Sequence, residues 1–409
     1  MTNIDKLIAE CEAENAAFYE AIDGIALFNQ EKVLAAFQKN RIAPMHFAAT
    51  TGYGYDDAGR AALGAVFADA FGCGAAIVSP LLASGTHAIS TALFGLLRPG
   101  DLLLSISGTP YDTLMPVIGG DGIGSLRDFG VKFDAIELLA DGTFDTAKII
   151  PALKKKPAVI TIQRSRGYAW RRSVPLGAIA DITALIKSVL PDTVVAVDNC
   201  YGEFVEKAEP TAVGADLIIG SLIKNPGGGI APGGGYIAGK KNLIERIANR
   251  LTAPGVGVEI GSYAAGYRSY FQGFFVAPHV VAQAAKGSRL FASVFSRLGY
   301  ETLPTAGDSQ NDIICSVKFN TERELIDFCG AVQRSSPVDS FATPYPWDMP
   351  GYESRVIMAA GTFVQGASIE LSADSPIRAP YIAYAQGGLT YEHIKIALKN
   401  TVKTVLCQT

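Results

Sequence analysis

Apolar residues recur at helical spacing from the start of the chain. Ile4, Leu7, Ile8 and Cys11, then Ala16, Phe18 and Ala21, share a face, and a second helical segment runs over 30–39. Glu and Lys occupy the other face, which predicts an arm that packs on a body or on a partner subunit. From about residue 57 the pattern alternates. An alanine-rich helix over 57–71 precedes a short apolar strand over 75–79, a glycine turn, a helix over 86–97 and a strand over 102–106. Further apolar strands are predicted over 133–138, 158–163, 193–198 and 216–223, with amphipathic helices between them, such as 176–190. Apolar strands alternating with helices predict an α/β fold whose mostly parallel sheet is covered on both faces.

After about residue 285 the texture changes. A long helix over 280–298, a strand over 313–319, a helix over 323–334, a strand-like segment over 368–372 and a final helix over 391–405 predict a smaller α+β domain. The expected organisation is therefore a helical arm over 1–45, a large α/β domain over 46–284 and a small C-terminal α+β domain over 285–409.

Composition narrows the function classes. The 409 residues are 49% hydrophobic and 18% charged, so the chain can bury a large core. A net charge of −4 argues against a nucleic-acid partner, which requires a basic face. The six cysteines form no C-x-x-C pair, which points to reduced thiols rather than a disulfide framework or a zinc site. The stretch 75–97 is interrupted by Pro80, Ser84, Gly85, Thr86 and His87 and reads as no membrane span. The N-terminus lacks a signal-peptide pattern, and the expected location is the cytoplasm.

Candidate chemistry lies where strands end, because open α/β sheets bind ligands beyond their carboxyl edges. Ala83-Ser84-Gly85-Thr86-His87 opens a helix, so its backbone N–H groups and hydroxyls suit a phosphate; capping of the helix by Ser84 or Thr86 explains the same residues. Asp198 ends the apolar run Val194-Val195-Ala196-Val197, where a carboxylate favours a cationic partner. Lys224 follows an apolar strand and precedes Asn225-Pro226-Gly227-Gly228-Gly229. Desolvation there is expected to lower its pKa and suit it to Schiff-base chemistry, although a lysine whose stem reaches the surface fits equally well. The segment 234–240 nearly fits a P-loop, but Lys241 replaces the required Ser or Thr and Tyr236-Ile237-Ala238 reads as strand.

Together, the Gly-hydroxyl turn, Asp198 and Lys224 match what pyridoxal phosphate requires: an anion cradle, a carboxylate for the ring nitrogen and a lysine. The sequence resembles the fold-type I pyridoxal phosphate enzymes, and within them the cystathionine β-lyase/methionine γ-lyase-like proteins known as aluminium resistance proteins. The resemblance is carried by Gly52-Tyr53-Gly54-Tyr55-Asp56-Asp57-Ala58-Gly59-Arg60, Ser84-Gly85-Thr86-His87, Pro110-Tyr111-Asp112-Thr113, Gln163-Arg164-Ser165-Arg166-Gly167-Tyr168, Asp198-Asn199-Cys200-Tyr201-Gly202-Glu203, Ser221-Leu222-Ile223-Lys224-Asn225 and Ile369-Glu370-Leu371-Ser372-Ala373-Asp374-Ser375-Pro376-Ile377-Arg378.

That resemblance implies roles. Lys224 would hold pyridoxal 5'-phosphate as a Schiff base and move the Cα proton. Asp198 would pair with the ring nitrogen. Ser84, Gly85, Thr86 and Ser221 would hold the phosphate, and Tyr111 would stack on the ring. Tyr55 and Arg60 would reach the phosphate of a neighbouring subunit, with Tyr55 also serving catalysis, and Arg378 would take the substrate carboxylate. No metal is expected. The implied activity is carbon–sulfur bond cleavage in a sulfur amino acid by β- or γ-elimination, in a homodimer or homotetramer with shared sites. Transamination, racemisation, aldol-type cleavage or a non-catalytic scaffold on the same fold are the alternatives. Two positions depart from the better-studied lyases: Ile223 stands where they carry Thr, and Asp112-Thr113 follows the stacking tyrosine.

Overall fold

The computed structural model describes residues 3–120, 123–305, 307–349, 352 and 354–406. The first two residues and Cys407, on which the sequence reading drew, lie outside these. Seven strands form the large sheet: β1 (Ala75–Ser79), β2 (Leu102–Ser105), β3 (Lys132–Ala135), β4 (Val159–Gln163), β5 (Val194–Asp198), β6 (Leu217–Ser221) and β7 (Gly235–Gly239). Their order is β1-β7-β6-β5-β4-β2-β3, with β7 the one strand running against the rest. The mostly parallel sheet expected from the apolar runs is thus present. The central strands are buried along almost their whole length, and helices on both faces supply the matching apolar stripes.

A second sheet, antiparallel throughout, is made by β8 (Glu301–Leu303), β9 (Ile314–Phe319), β10 (Val356–Ala359), β11 (Ser372–Pro376) and β12 (Tyr381–Gln386), in the order β10-β11-β12-β9-β8. Helices Glu322–Arg334 and Tyr391–Leu406 pack with it around a second core containing Phe295, Val317, Phe328 and Leu398. Thr321 starts the first of these helices, its hydroxyl accepting from the Glu324 N–H while the Glu324 carboxylate accepts from the Thr321 N–H. The molecule therefore has a large sheet domain and a smaller C-terminal one.

The two cores are bridged by one helix, Arg268–Arg297. Its first half, with Phe271, Phe274 and Val281, belongs to the large core, and its last turns, with Phe291 and Phe295, to the small one. The sequence pattern predicts a start near residue 280, yet the helix begins at Arg268 and continues through Gly273 and Pro278. The boundary expected between 284 and 285 consequently falls inside this helix. The N-terminal helices Asn3–Glu14 and Ala16–Lys39 pack on the same helix: Ile8 and Cys11 join the small core, Val33 and Ala36 the large one. Asn15 Nδ2 fixes the junction of the two helices by donating to Ser293 Oγ at 2.8 Å. The five described cysteines are free. Among the described residues no helix is long and apolar enough to cross a membrane.

Candidate active site

Four strand ends meet at one edge of the large sheet. After β1 the chain turns into helix Gly85–Leu96, capped by Ser84 in extended backbone, whose Oγ accepts the His87 N–H at 3.0 Å. Capping accounts for one lone pair of Ser84 and leaves its O–H free to donate. The helix end abuts the end of β6: a Cβ at residue 85 would lie 3.2 Å from Ser221 Cβ, so glycine keeps the turn open there. Thr86 Oγ1 is 3.0 Å from the Tyr111 hydroxyl. Tyr111 is in turn placed by Gln163, the last residue of β4, whose side-chain oxygen accepts the Tyr111 N–H at 3.2 Å. Asp198 ends β5 beside Gln163, and its carboxylate accepts the Cys200 N–H at 3.2 Å.

Lys224 follows β6 and reaches into this group. Its Nζ sits 4.2 Å from the centroid of the Tyr201 ring. Burial works against the ammonium, but the Cys200 thiol, the Tyr201 phenol, the Asp198 carboxylate and the Tyr111 phenol together outweigh it. They hold the Lys224 pKa well above its ordinary value. The expected lowering is therefore corrected: the apolar strand leads the lysine out of the core into a ring of acidic groups, and their field exceeds the desolvation that the sequence pattern suggested. The same closeness raises the Tyr111 pKa, through burial first and Asp198 second.

Tyr55 is 64% exposed and contacts only the Tyr53 ring among aromatic neighbours, at 5.5 Å. Arg60 spends its guanidinium on its own chain, donating to the carbonyls of Gly261, Gly54 and Glu259 at 2.9, 3.0 and 3.0 Å. Arg378 is exposed on the turn between β11 and β12, where its charge acts on the Tyr384 phenol. Arg164 and Arg166, considered as a second anion site, are both buried and paired. Arg164 binds Glu206, Asn199 Oδ1 and the Gly202 carbonyl, bracing the loop after Asp198. Arg166 pairs with Asp312 at 3.1 Å.

The structure adds residues to which the sequence assigned no role. Asp374, on β11 of the small sheet, lies near enough to Lys224 for the lysine charge to oppose the rise that burial imposes on its pKa. Tyr168, Tyr201, Tyr352 and Tyr384 stand around it. Tyr201 itself has left-handed backbone, φ 72°, an uncommon conformation for a bulky residue and a mark of functional sites. Asp374 and Tyr201 fall in stretches that carry the family resemblance; their β11 and loop settings gave no separate signal.

A mixed sheet of this order, an aspartate ending β5, a lysine after β6 and a glycine-hydroxyl turn at a helix start define a fold-type I pyridoxal phosphate enzyme. The methionine gamma-lyase family model matches residues 4–406, and the chain belongs to that family. It is 48% identical over 406 residues to the protein YnbB of Bacillus subtilis, covering 98% of this chain and 96% of that one. Over 168 residues it is 32% identical to L-methionine gamma-lyase of Pseudomonas putida, covering 41% and 37% of the two chains. Its structure is similar to the crystal structure of a carbon-sulfur lyase involved in aluminum resistance from Clostridium novyi NT. That match has a TM-score of 0.94 at 46% identity, covering 98% and 96%. The pyridoxal phosphate-dependent protein YhfS of Escherichia coli shares the fold, with a TM-score of 0.64 at 18% identity over 93% and 97% of the chains.

The cofactor of this family is pyridoxal 5'-phosphate, and the residues present fit it. The cradle at Gly85 is one that a Cβ would fill, and it is bordered by the hydroxyls of Ser84, Thr86 and Ser221. Tyr111, Asp198 and Lys224 all remain partly accessible.

Proposed function

We propose that the chain is a carbon–sulfur lyase that acts on a sulfur amino acid by β- or γ-elimination. The observation that carries this reading is the convergence of Lys224, Asp198 and Tyr111 on one sheet edge beside the Ser84–Gly85–Thr86 turn. When bound, pyridoxal phosphate supplies an electron sink for charge developing at the substrate Cα.

The chain's residues do the rest. Ser84, Gly85, Thr86 and Ser221 hold the phosphate with hydroxyls and helix N–H groups. Asp198 would pair with the ring nitrogen and favour its protonated form. Tyr111, fixed by Gln163 and Thr86, would stack on the ring. Lys224 would hold the cofactor through its amine, and its freed Nζ would accept the substrate Cα proton; the thiolate would leave directly from a β carbon, or from a γ carbon after a second proton is taken from Cβ. The acidic groups that stabilise its ammonium favour that proton transfer. Arg378 takes the substrate carboxylate from the β11–β12 turn, next to Tyr384.

Copies of the chain assemble so that Tyr55 reaches a neighbouring site. Exposed Met45, Tyr53 and Tyr55 on one segment support this, and Arg60 shapes that segment through its three carbonyl bonds. A cytoplasmic setting accords with the free thiols.

The test is borohydride reduction of the loaded protein followed by peptide mapping, which is expected to place the reduced cofactor on Lys224. Lys224→Ala is expected to abolish release of thiol, ammonia and keto acid while leaving the fold intact. An active Lys224→Ala protein would falsify the assignment. A new amino acid in place of a thiol would point to transamination.

A further inference from the structure

The loop from Asn199 to Glu209 joins β5 to a short 3-10 helix, Pro210–Val213, and forms no strand or helix of its own. Its backbone groups therefore need partners elsewhere. Four of the five carbonyls from Glu203 to Lys207 accept from side chains of other elements. Asn225, next to Lys224, donates to the Glu203 carbonyl at 2.9 Å. Asn29 Nδ2 donates to the carbonyls of Phe204 and Glu206 at 3.1 and 3.0 Å, and Lys32 Nζ to that of Lys207 at 2.9 Å. Both Asn29 and Lys32 belong to the N-terminal helix Ala16–Lys39.

Asn29 is a polar residue in an apolar place. It lies on the buried stripe of that helix with Ile22, Val33 and Ala36, wholly out of solvent. A polar group there costs stability unless its hydrogen bonds are made. Its amide nitrogen gives both of its bonds to the loop, while its Oδ1 accepts from nothing among the described residues. An apolar side chain would fill the stripe without that loss, so the two donors are what the position supplies. The loop has use for them. Tyr201 and Phe204 both have left-handed backbone, φ 72° and 62°, which a chain keeps only where its surroundings over-determine it. The same loop delivers Cys200 and Tyr201, which face Lys224 together with Asp198 and Tyr111.

We propose that the N-terminal helix is part of the active-site framework: Asn29, supported by Lys32, is a positioning residue that holds loop 199–209 so that Tyr201 presents its ring to Lys224. Asn29 acts through the loop and has no contact with the reacting groups. The inference rests on the reading of Lys224 as the lysine that takes the cofactor.

The test is the pH dependence of cofactor incorporation into the protein freed of cofactor, followed by the visible absorption band. Asn29→Ala is expected to lower the midpoint by ~0.3–1 pH unit, part of the shift that loss of the ring itself produces. Lys32→Met keeps the stem, loses one donor and is expected to lower it less. Asn15→Ala is the control: it cuts the bond to Ser293 at the other end of the arm and is expected to leave the midpoint in place. In a Tyr201→Leu background, Asn29→Ala is expected to add less than half of the shift it causes in the parent, because it acts through that ring. Hydrogen exchange of the 199–209 amides is expected to quicken ~10-fold in Asn29→Ala and to stay unchanged in Asn15→Ala. An unmoved midpoint in Asn29→Ala, an equal shift in Asn15→Ala, or shifts that add in full in the double variant would overturn the proposal. Should Asn29→Ala fail to fold, Lys32→Met decides alone, and an unmoved midpoint there overturns it too. A parent whose band titrates while the Asn29 variant matches it refutes this inference and leaves the Lys224 assignment standing; a parent that takes up no cofactor at Lys224 removes both.

Discussion

Tyr201 presents its ring to Lys224 with 4.2 Å between Nζ and the ring centroid, and it does so from a left-handed backbone at φ 72°. The loop carrying it is braced from beneath by Arg164, which binds Asn199 and Gly202 on either side. The strained residue is thus held by its neighbours, and the strain orients an aromatic face toward the one amine at the sheet edge.

From that pairing follows a shift in the titration of Lys224. Tyr201→Leu removes the ring and ~0.5–2 kcal/mol of ammonium stabilisation, lowering the Lys224 pKa by roughly 0.4–1.5 units. Tyr201→Phe retains the ring face but loses the phenol, and is expected to lower the Lys224 pKa less than Tyr201→Leu does. The measurement is the pH dependence of cofactor incorporation into the protein freed of cofactor, followed by the visible absorption band. A Leu variant with an unmoved profile would show that the ring has no electrostatic role.

A second prediction concerns the turn after Lys224. Gly273, inside helix Arg268–Arg297, packs on that turn so closely that a Cβ would lie 2.3 Å from the Gly227 carbonyl oxygen. Ala in place of Gly normally stabilises a helix interior by ~1 kcal/mol. Here the clash is with backbone, which cannot rotate away, so overpacking wins and Gly273→Ala is expected to destabilise by ~1–3 kcal/mol. Gly24, in helix Ala16–Lys39, has nothing within 4 Å of its Cβ position, and Gly24→Ala is expected to stabilise. Urea midpoints moving in opposite directions confirm the contrast; movement in the same direction contradicts it.

These elements show how far the sequence could be read. The runs that became β1, β5 and β6 are short, apolar and bounded by turns, so their existence and their carboxyl ends were legible, and with them Ser84, Asp198 and Lys224. β11 reads Ser-Ala-Asp-Ser-Pro and carries no strand pattern; it is a strand because β10 and β12 pair with it on both sides. Asp374 was therefore hidden with its element. The direction of the Lys224 shift was missed for a related reason. A strand pattern reports burial, but Cys200, Tyr201 and Tyr111 come to the lysine from other strand ends, which only the assembled sheet juxtaposes.

The Thr86–Tyr111 contact at 3.0 Å couples the turn at the helix start to the aromatic proposed to cover the cofactor ring. Tyr111→Phe removes one hydrogen bond worth ~0.5–1.5 kcal/mol, and cofactor affinity is expected to fall ~3–10-fold by equilibrium dialysis. Tyr111→Ala loses the ring as well and is expected to fall further. An unchanged affinity in the Phe variant would mean that Thr86 is positioned by its helix alone.

The last prediction concerns Glu203, five residues beyond Asp198 and wholly buried. Its Oε1 accepts the Tyr236 hydroxyl at 2.7 Å, while Oε2 has no partner. Burial pushes its pKa up to about 8 from an ordinary 4.5, against the opposing hydrogen bond from Tyr236. Between those two values the folded chain keeps a proton that the unfolded chain has released, so folding stability falls as pH rises from 4.5 to about 8 and then levels. Glu203→Gln keeps an acceptor for Tyr236 and has no charge to bury. The variant is expected to gain on the parent as pH increases across that window, by a few kcal/mol at most at its upper end. Urea unfolding of both proteins at pH 5 and pH 8 measures the difference directly, and a gap that does not widen with pH shows that Glu203 ionises as freely in the fold as outside it.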